Sequence, residues 1–166
     1  MDSFDLIAIG DITTDEFIRL SPDRAVVNRD LSGRQVLSMY FGDKLEFLDA
    51  VNVPAVGNSP NAAVAAHRLG LKTSLVTDIG HDDGGREIQD WLTKEGLDLS
   101  FMRVNEGKTT NHHYVLMYGP ERTILIKHET YDYKLPDIGS PKWIYFSSVG
   151  EHSVDYHHEI ATYVKA

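Results

Sequence analysis

The sequence predicts an α/β fold: a partial, mostly parallel sheet packed by helices, with a small antiparallel patch of strands added. Three observations carry that prediction. Short apolar runs such as "DLIAIG" and "TSLVTDIG" read as buried strands, and segments of helical period alternate with them. "HHYVLMYGPERTILI" reads as a hairpin, two alternating runs about the four-residue turn Gly119-Pro120-Glu121-Arg122. The 166 residues are enough for one domain with a sizeable core.

Each element has its own local reason. "FDLIAIGD" is an apolar run closed by Gly10, and "TTDEFIRLSPD" follows as a turn leading into a more polar strand. "RQVLSMYF" and "KLEFLDAVNV" read as half-exposed antiparallel strands. In "VGNSPNAAVAAHRLGL", Ser59 is the expected N-cap, Pro60 suits the first helical position, and Gly70 ends the helix in a left-handed turn. "KTSLVTDIG" is a second buried strand. "DDGGREIQDWLTKEGL" is a helix with acids in its first turn, Ile88, Trp91 and Leu92 at helical spacing, and Gly96 as its stop. A further strand is expected in "DLSFMRV", another buried strand in "PKWIYFSSVG", the hairpin from about Asn111 to His128, and a last helix after Ser153. That helix runs to Ala166 with no glycine stop and no following strand, although a parallel sheet needs a crossover there, so the chain reads as cut short.

Composition removes several function classes. The formal net charge of -9 argues against nucleic acid and anionic membrane surfaces as partners. With no cysteine there is no disulfide, no thiolate catalysis and no cysteine-ligated zinc. No apolar run approaches the roughly 20 residues of a membrane span. "MDSFDLIAIG" carries acids and no base, unlike a secretory signal, and a cytoplasmic location is expected. His112-His113 and His157-His158 suggest a metal, but neighbours on a strand face opposite sides and no H-E-x-x-H occurs, so no metal site is expected.

Open α/β sheets bind ligands just beyond the carboxyl ends of their strands, and three loci stand there. The first is "GDITTD", with Thr13 and Asp15 right after the first strand, where Asp15 could accept from ligand hydroxyls or simply form a turn. The second is the Gly57-Asn58-Ser59-Pro60-Asn61 turn, whose two asparagines exceed what capping needs. The third is "DIGHDDGG", with Asp78, His81, Asp82 and Asp83. Here helix capping and dipole compensation account for much of the acid content. G-x-x-x-x-G-K-[ST], G-x-S-x-G and G-x-G-x-x-G motifs are all absent.

Taken together, the three loci resemble the PfkB (ribokinase-like) family of carbohydrate kinases. Gly57, Asn61, Ala63, Gly70 and Gly80 fall at the spacing of that family's first signature, and "AIGDITTD" matches its opening strand through Gly10 and Asp15. "KEGLDLSFMRV" followed by "KTTNHHYVLMYGPERTILI" looks like the segment leading into the family's lid hairpin. The resemblance covers essentially the whole chain and implies a Rossmann-like, ribokinase-like core with a β lid. Lid strands are then expected within about 16–53 and 111–128.

In that family the residues matching Asp15 and Asn61 hold sugar hydroxyls, and Gly57 would let backbone approach the sugar. Thr13 and Asn58 would stand at neighbouring sugar-contact positions. The implied activity is transfer of the ATP γ-phosphoryl group to a hydroxyl of a sugar or nucleoside, with Mg2+. Two departures qualify it. Val56 stands where the family usually has the first of two glycines. The family's G-A-G-D motif, which carries the catalytic base and anion hole, and its magnesium-related N-x-x-E motif do not occur. The expectation is therefore a substrate-binding half, residues 1–166, without a catalytic residue of its own and with poor affinity for ATP or Mg2+ alone. Pairing of two copies through the lid strands is expected from their apolar content. The alternative is a stand-alone sugar or nucleoside binding module that never catalyses.

Overall fold

In chain order the elements are β1 (Leu6–Ile9), β2 (Thr13–Leu20), β3 (Val26–Arg29), β4 (Gln35–Ser38), β5 (Phe47–Val56), α1 (Asn58–Arg68) and β6 (Thr73–Gly80). They continue as α2 (Asp83–Glu95), β7 (Met102–Asn105), β8 (His112–Tyr118), β9 (Glu121–Lys127), β10 (Trp143–Phe146) and α3 (Val154–Lys165). This computed structural model describes residues 3–165. Within the described residues it divides into two compact units, the first made of 3–14, 54–112 and 127–165, the second of 15–53 and 113–126.

The first unit is built on a parallel sheet in the order β10-β1-β6-β7. Leu6 pairs with both Trp143 and Thr73, and Ile9 with Phe146 and Val76. Parallel neighbours need long crossovers, and α1 and α2 supply those into β6 and β7. The strands' alternation sends side chains to two cores. Ala8, Leu75 and Ile79 pack with Ala63 and Val64 of α1 and with Ile88 and Leu92 of α2. Ile7, Ile9 and Val76 pack on the opposite face with Tyr156 and Ile160 of α3. Ile88 and Leu92 are one turn apart, which is why the helical spacing of α2 was legible, and Asp82 caps it by accepting from Gly85 N at 2.9 Å.

The second unit carries a sheet in the order β5-β2-β8-β9 and a separate antiparallel ribbon, β3 with β4, in which Val26 pairs with Ser38. β8 and β9 are joined by Gly119-Pro120 alone, shorter than the four-residue turn expected. Gly119 has φ 58, the positive value that a two-residue hairpin turn demands. β5 runs on to Val56 through Pro54, a residue tolerated because β5 is an edge strand and needs no ladder donor there.

Candidate site at the strand ends

α1 starts earlier than the sequence suggested. Its N-cap is Gly57, no side chain among the described residues caps it, and Pro60 falls inside the first turn, where a missing N–H costs nothing. The expectation that Ser59 caps the helix is corrected. Ser59 is fully buried, its Oγ donates to Ile9 O at 2.7 Å, and it lies 3.0 Å from Ser147 Oγ. A short hydroxyl near a helix start can serve the tertiary structure instead of the cap, and here it ties α1 to the end of β1.

The same seam continues through the loop after β10. Ser147 N donates to Ile9 O at 3.0 Å, Asp11 N donates to Ser148 O at 2.9 Å, and Asn58 Nδ2 donates to Ser148 Oγ at 3.1 Å. Gly57 has φ 133, and a Cβ there would stand 2.8 Å from Asp11 O, so a side chain is excluded both by backbone and by space. The turn at 57–61 is thus held against the carboxyl ends of β1 and β10.

Asp11 is the residue that the sequence reading passed over. Burial pushes its carboxyl above the usual range, against the opposing hydrogen bond from Tyr133. Tyr133 Oη donates to Asp11 Oδ1 at 2.9 Å and accepts from Gly150 N at 3.0 Å. Burial and the neighbouring Asp11 charge keep that phenol protonated well above its ordinary range, so it stays a donor. The only local signal was the acid directly after Gly10; Tyr133 lies in a stretch with no period at all.

The expected site residues fall as follows. Asn61 is exposed, and its side chain makes no hydrogen bond among the described residues. Asn58 is exposed and engages Ser148. Thr13 is buried, 7% exposed, with Oγ1 donating to Thr14 O at 3.3 Å. Asp15 belongs to the second unit, where it faces His113. The acids of the third locus are structurally committed. Asp78 accepts from Arg103 Nε at 2.5 Å and Asn105 Nδ2 at 2.9 Å, and Asp83 pairs with Arg86. His81 pairs with Glu106 at the surface. Asp82 accepts from Thr110 N at 2.8 Å as well as from Gly85 N; burial opposes its ionisation, but these donors prevail and hold it below the usual carboxylate range. Among the described residues no group of three His, Asp or Glu could hold a metal ion, and no helix is long and apolar enough to cross a membrane.

The family model of the pfkB family carbohydrate kinases matches residues 27–164. The chain belongs to that family. Among curated relatives of this pfkB-family chain, a 2-dehydro-3-deoxygluconokinase of Thermoproteus tenax is 33% identical over 39% of the chain and 20% of the relative. An aminoimidazole riboside kinase of Salmonella typhimurium is 32% identical over 57% of the chain and 32% of the relative. The chain therefore spans about a fifth to a third of the curated relatives it matches. The fold agrees with solved structures. Arabidopsis thaliana ribokinase complexed with ribose and ATP superposes with a TM-score of 0.59 at 19% identity, over 76% of this chain and 36% of that one. Ribokinase of Cryptococcus neoformans in complex with ADP gives 0.58 at 20% identity, over 81% and 37%.

Proposed function

We propose that this pfkB-family chain is the substrate-reading part of an ATP-dependent kinase acting on a hydroxyl of a sugar, sugar acid or nucleoside. The observation that carries the reading is the 57–61 turn. It is fastened to two strand ends by Ser59, Asn58 and the close approach of Gly57 to Asp11, yet it leaves the Asn61 amide exposed and unengaged. A rigid turn presenting a spare amide at a helix N-terminus suits a ligand rich in oxygen. Asn61, Asn58, Thr13 and Gly57 are the proposed substrate contacts of the first unit. Asp15 is that of the second, which we read as the lid that excludes water.

The residues present do not fit a site for Mg2+–ATP. No G-A-G-D or N-x-x-E motif occurs, and among the described residues no carboxylate cluster could hold the ion. Phosphoryl transfer depends on positioning and on stabilising the migrating charge, and this chain supplies only the first of these, for the acceptor. The pure chain is expected to bind sugar without sugar-dependent ADP release; sustained release would overturn the division of labour.

Titration calorimetry of the chain with D-ribose, D-fructose, 2-dehydro-3-deoxygluconate and adenosine tests the reading. Asp15→Ala should cost about 10- to 100-fold in affinity, since bonds to a charged acceptor contribute about 1.5–3 kcal/mol. Asn61→Ala should cost about 2- to 10-fold, from about 0.5–1.5 kcal/mol for a neutral bond. Loss of stability in Asn61→Ala with affinity intact would make Asn61 a turn former and sink the assignment.

We also propose a cytoplasmic protein that self-associates through the second unit. All of β9 is exposed, including Ile124, Leu125 and Ile126, and the edge strand β5 exposes Phe47, Leu48 and Val51. A monomeric mass by light scattering at tens of micromolar would count against that pairing.

A further inference from the structure

His112 and His113 are neighbours on β8, so their side chains leave opposite faces of the strand and cannot act as one ligand pair. His113 has a specific use. Its Nδ1 lies 3.0 Å from Asp15 Oδ1 on β2, the adjacent strand of the same sheet. The two side chains are 17% and 21% exposed, sheltered enough for the contact to hold one geometry. An ionised carboxylate can only accept, so Nδ1 carries the hydrogen, which in a neutral ring is the Nδ1–H tautomer. The bond is charge-assisted, which makes it stronger than a neutral one. It occupies Oδ1, fixes the plane of the carboxylate, and leaves Oδ2 as the oxygen with full accepting capacity. An aspartate fixed before the ligand arrives loses less side-chain freedom on binding.

We propose that His113 is the positioning residue of Asp15: it fixes the orientation of the carboxylate so that Asp15 is a preset acceptor for a substrate hydroxyl. The inference rests on the reading of Asp15 as a substrate contact. It also assigns a specificity role. A carboxylate held in one orientation accepts from a hydroxyl in one direction and rejects an analogue that lacks the hydroxyl, because a desolvated acceptor is then left unpaired.

The test is a double-mutant cycle on the 166-residue chain, read by calorimetry with D-ribose, D-fructose, 2-dehydro-3-deoxygluconate and adenosine. His113→Phe keeps the ring volume and removes the donor, whereas His113→Asn keeps a donor near the position of Nδ1. His113→Phe is expected to weaken binding about 5- to 10-fold, and His113→Asn to recover most of that. In an Asp15→Ala background His113→Phe should cost nothing further in affinity, since the proposed role is exerted through the acid. Nitrogen-15 shifts of the His113 ring give a readout without ligand: the Nδ1–H form in the wild type, lost in Asp15→Ala. If Asp15→Ala weakens binding but His113→Phe does not, the positioning role is wrong and the reading of Asp15 stands. If Asp15→Ala leaves binding unchanged, or none of the four ligands binds, the reading fails and the inference falls with it. A ring that already shows the Nε2–H form in the wild type overturns the pairing itself, and lower melting temperatures with unchanged affinity would reduce it to a staple between strands.

Discussion

β6 and β9 are strands of nearly equal length, "TSLVTDIG" and "ERTILIK", and both contain a short apolar run. Every residue of β6 is buried, whereas every residue of β9 is exposed. The difference is one of place. β6 lies inside its sheet between β1 and β7 with helices packed on it, while β9 is the last strand of the order β5-β2-β8-β9. Hydrophobicity made both of them strands; neighbours decided which became core. The same contrast separates a unit built to hold its loops still from one that offers apolar edges.

The largest effect expected from this contrast is in β6. Leu75→Ala removes a fully buried side chain from the core beneath α1 and α2 and should cost about 2–5 kcal/mol in chemical denaturation. A cost under about 1 kcal/mol would mean that the first unit tolerates loose packing and that β6 is no more committed to a core than β9.

Ser59→Ala probes the seam rather than the core. It deletes the hydrogen bond to Ile9 O, which keeps Ser147 N as a donor, so the loss should be about 1 kcal/mol. Because Ser59 is no cap, Ser59→Asp, an excellent capping substitution, should destabilise rather than rescue. Rescue by aspartate would restore the capping role that the sequence suggested.

Asp11 sharpens the contrast by its response to pH. Burial raises its carboxyl above 3.8, so the folded chain holds that proton more tightly than the unfolded chain does. Its contribution to stability is complete at low pH and is lost as pH rises past 3.8 and through the higher folded value. Asp11→Asn removes the titration and still accepts from Tyr133. Thermal melts should therefore show the variant gaining on the wild type between pH 4 and pH 7; a gap that stays constant or narrows would show that Asp11 is not held up by burial.

The smallest effect is expected in β9. Ile126 is 65% exposed, and Ile126→Ala should cost about 0.5 kcal/mol or less at submicromolar concentration. If a second copy covers the strand, the cost grows as the concentration rises to tens of micromolar. A cost that is large at every concentration would mean that β9 is buried after all.

The sequence by itself determined the element types and the family. The buried strands β1 and β6, the face of α2 with Ile88 and Leu92, and the stop at Gly70 are written in residues a few positions apart, because hydrophobic period and helix ends are local properties, whereas β10, expected to be buried, leaves Trp143 and Tyr145 exposed. The spacing of Gly57, Asn61, Ala63, Gly70 and Gly80 pointed to the family that residues 27–164 match. Only the tertiary structure decided that Ser59 serves β1 instead of its own helix, and that β9 stays exposed. It alone paired Asp11 with Tyr133, 122 positions away, and Asp15 with His113, 98 positions away. Such bonds join residues that share no local period, and a carboxylate reads the same in sequence whether it ends in water, at a helix cap or against a buried phenol. Its partner is fixed only when the strands that carry the two are brought side by side.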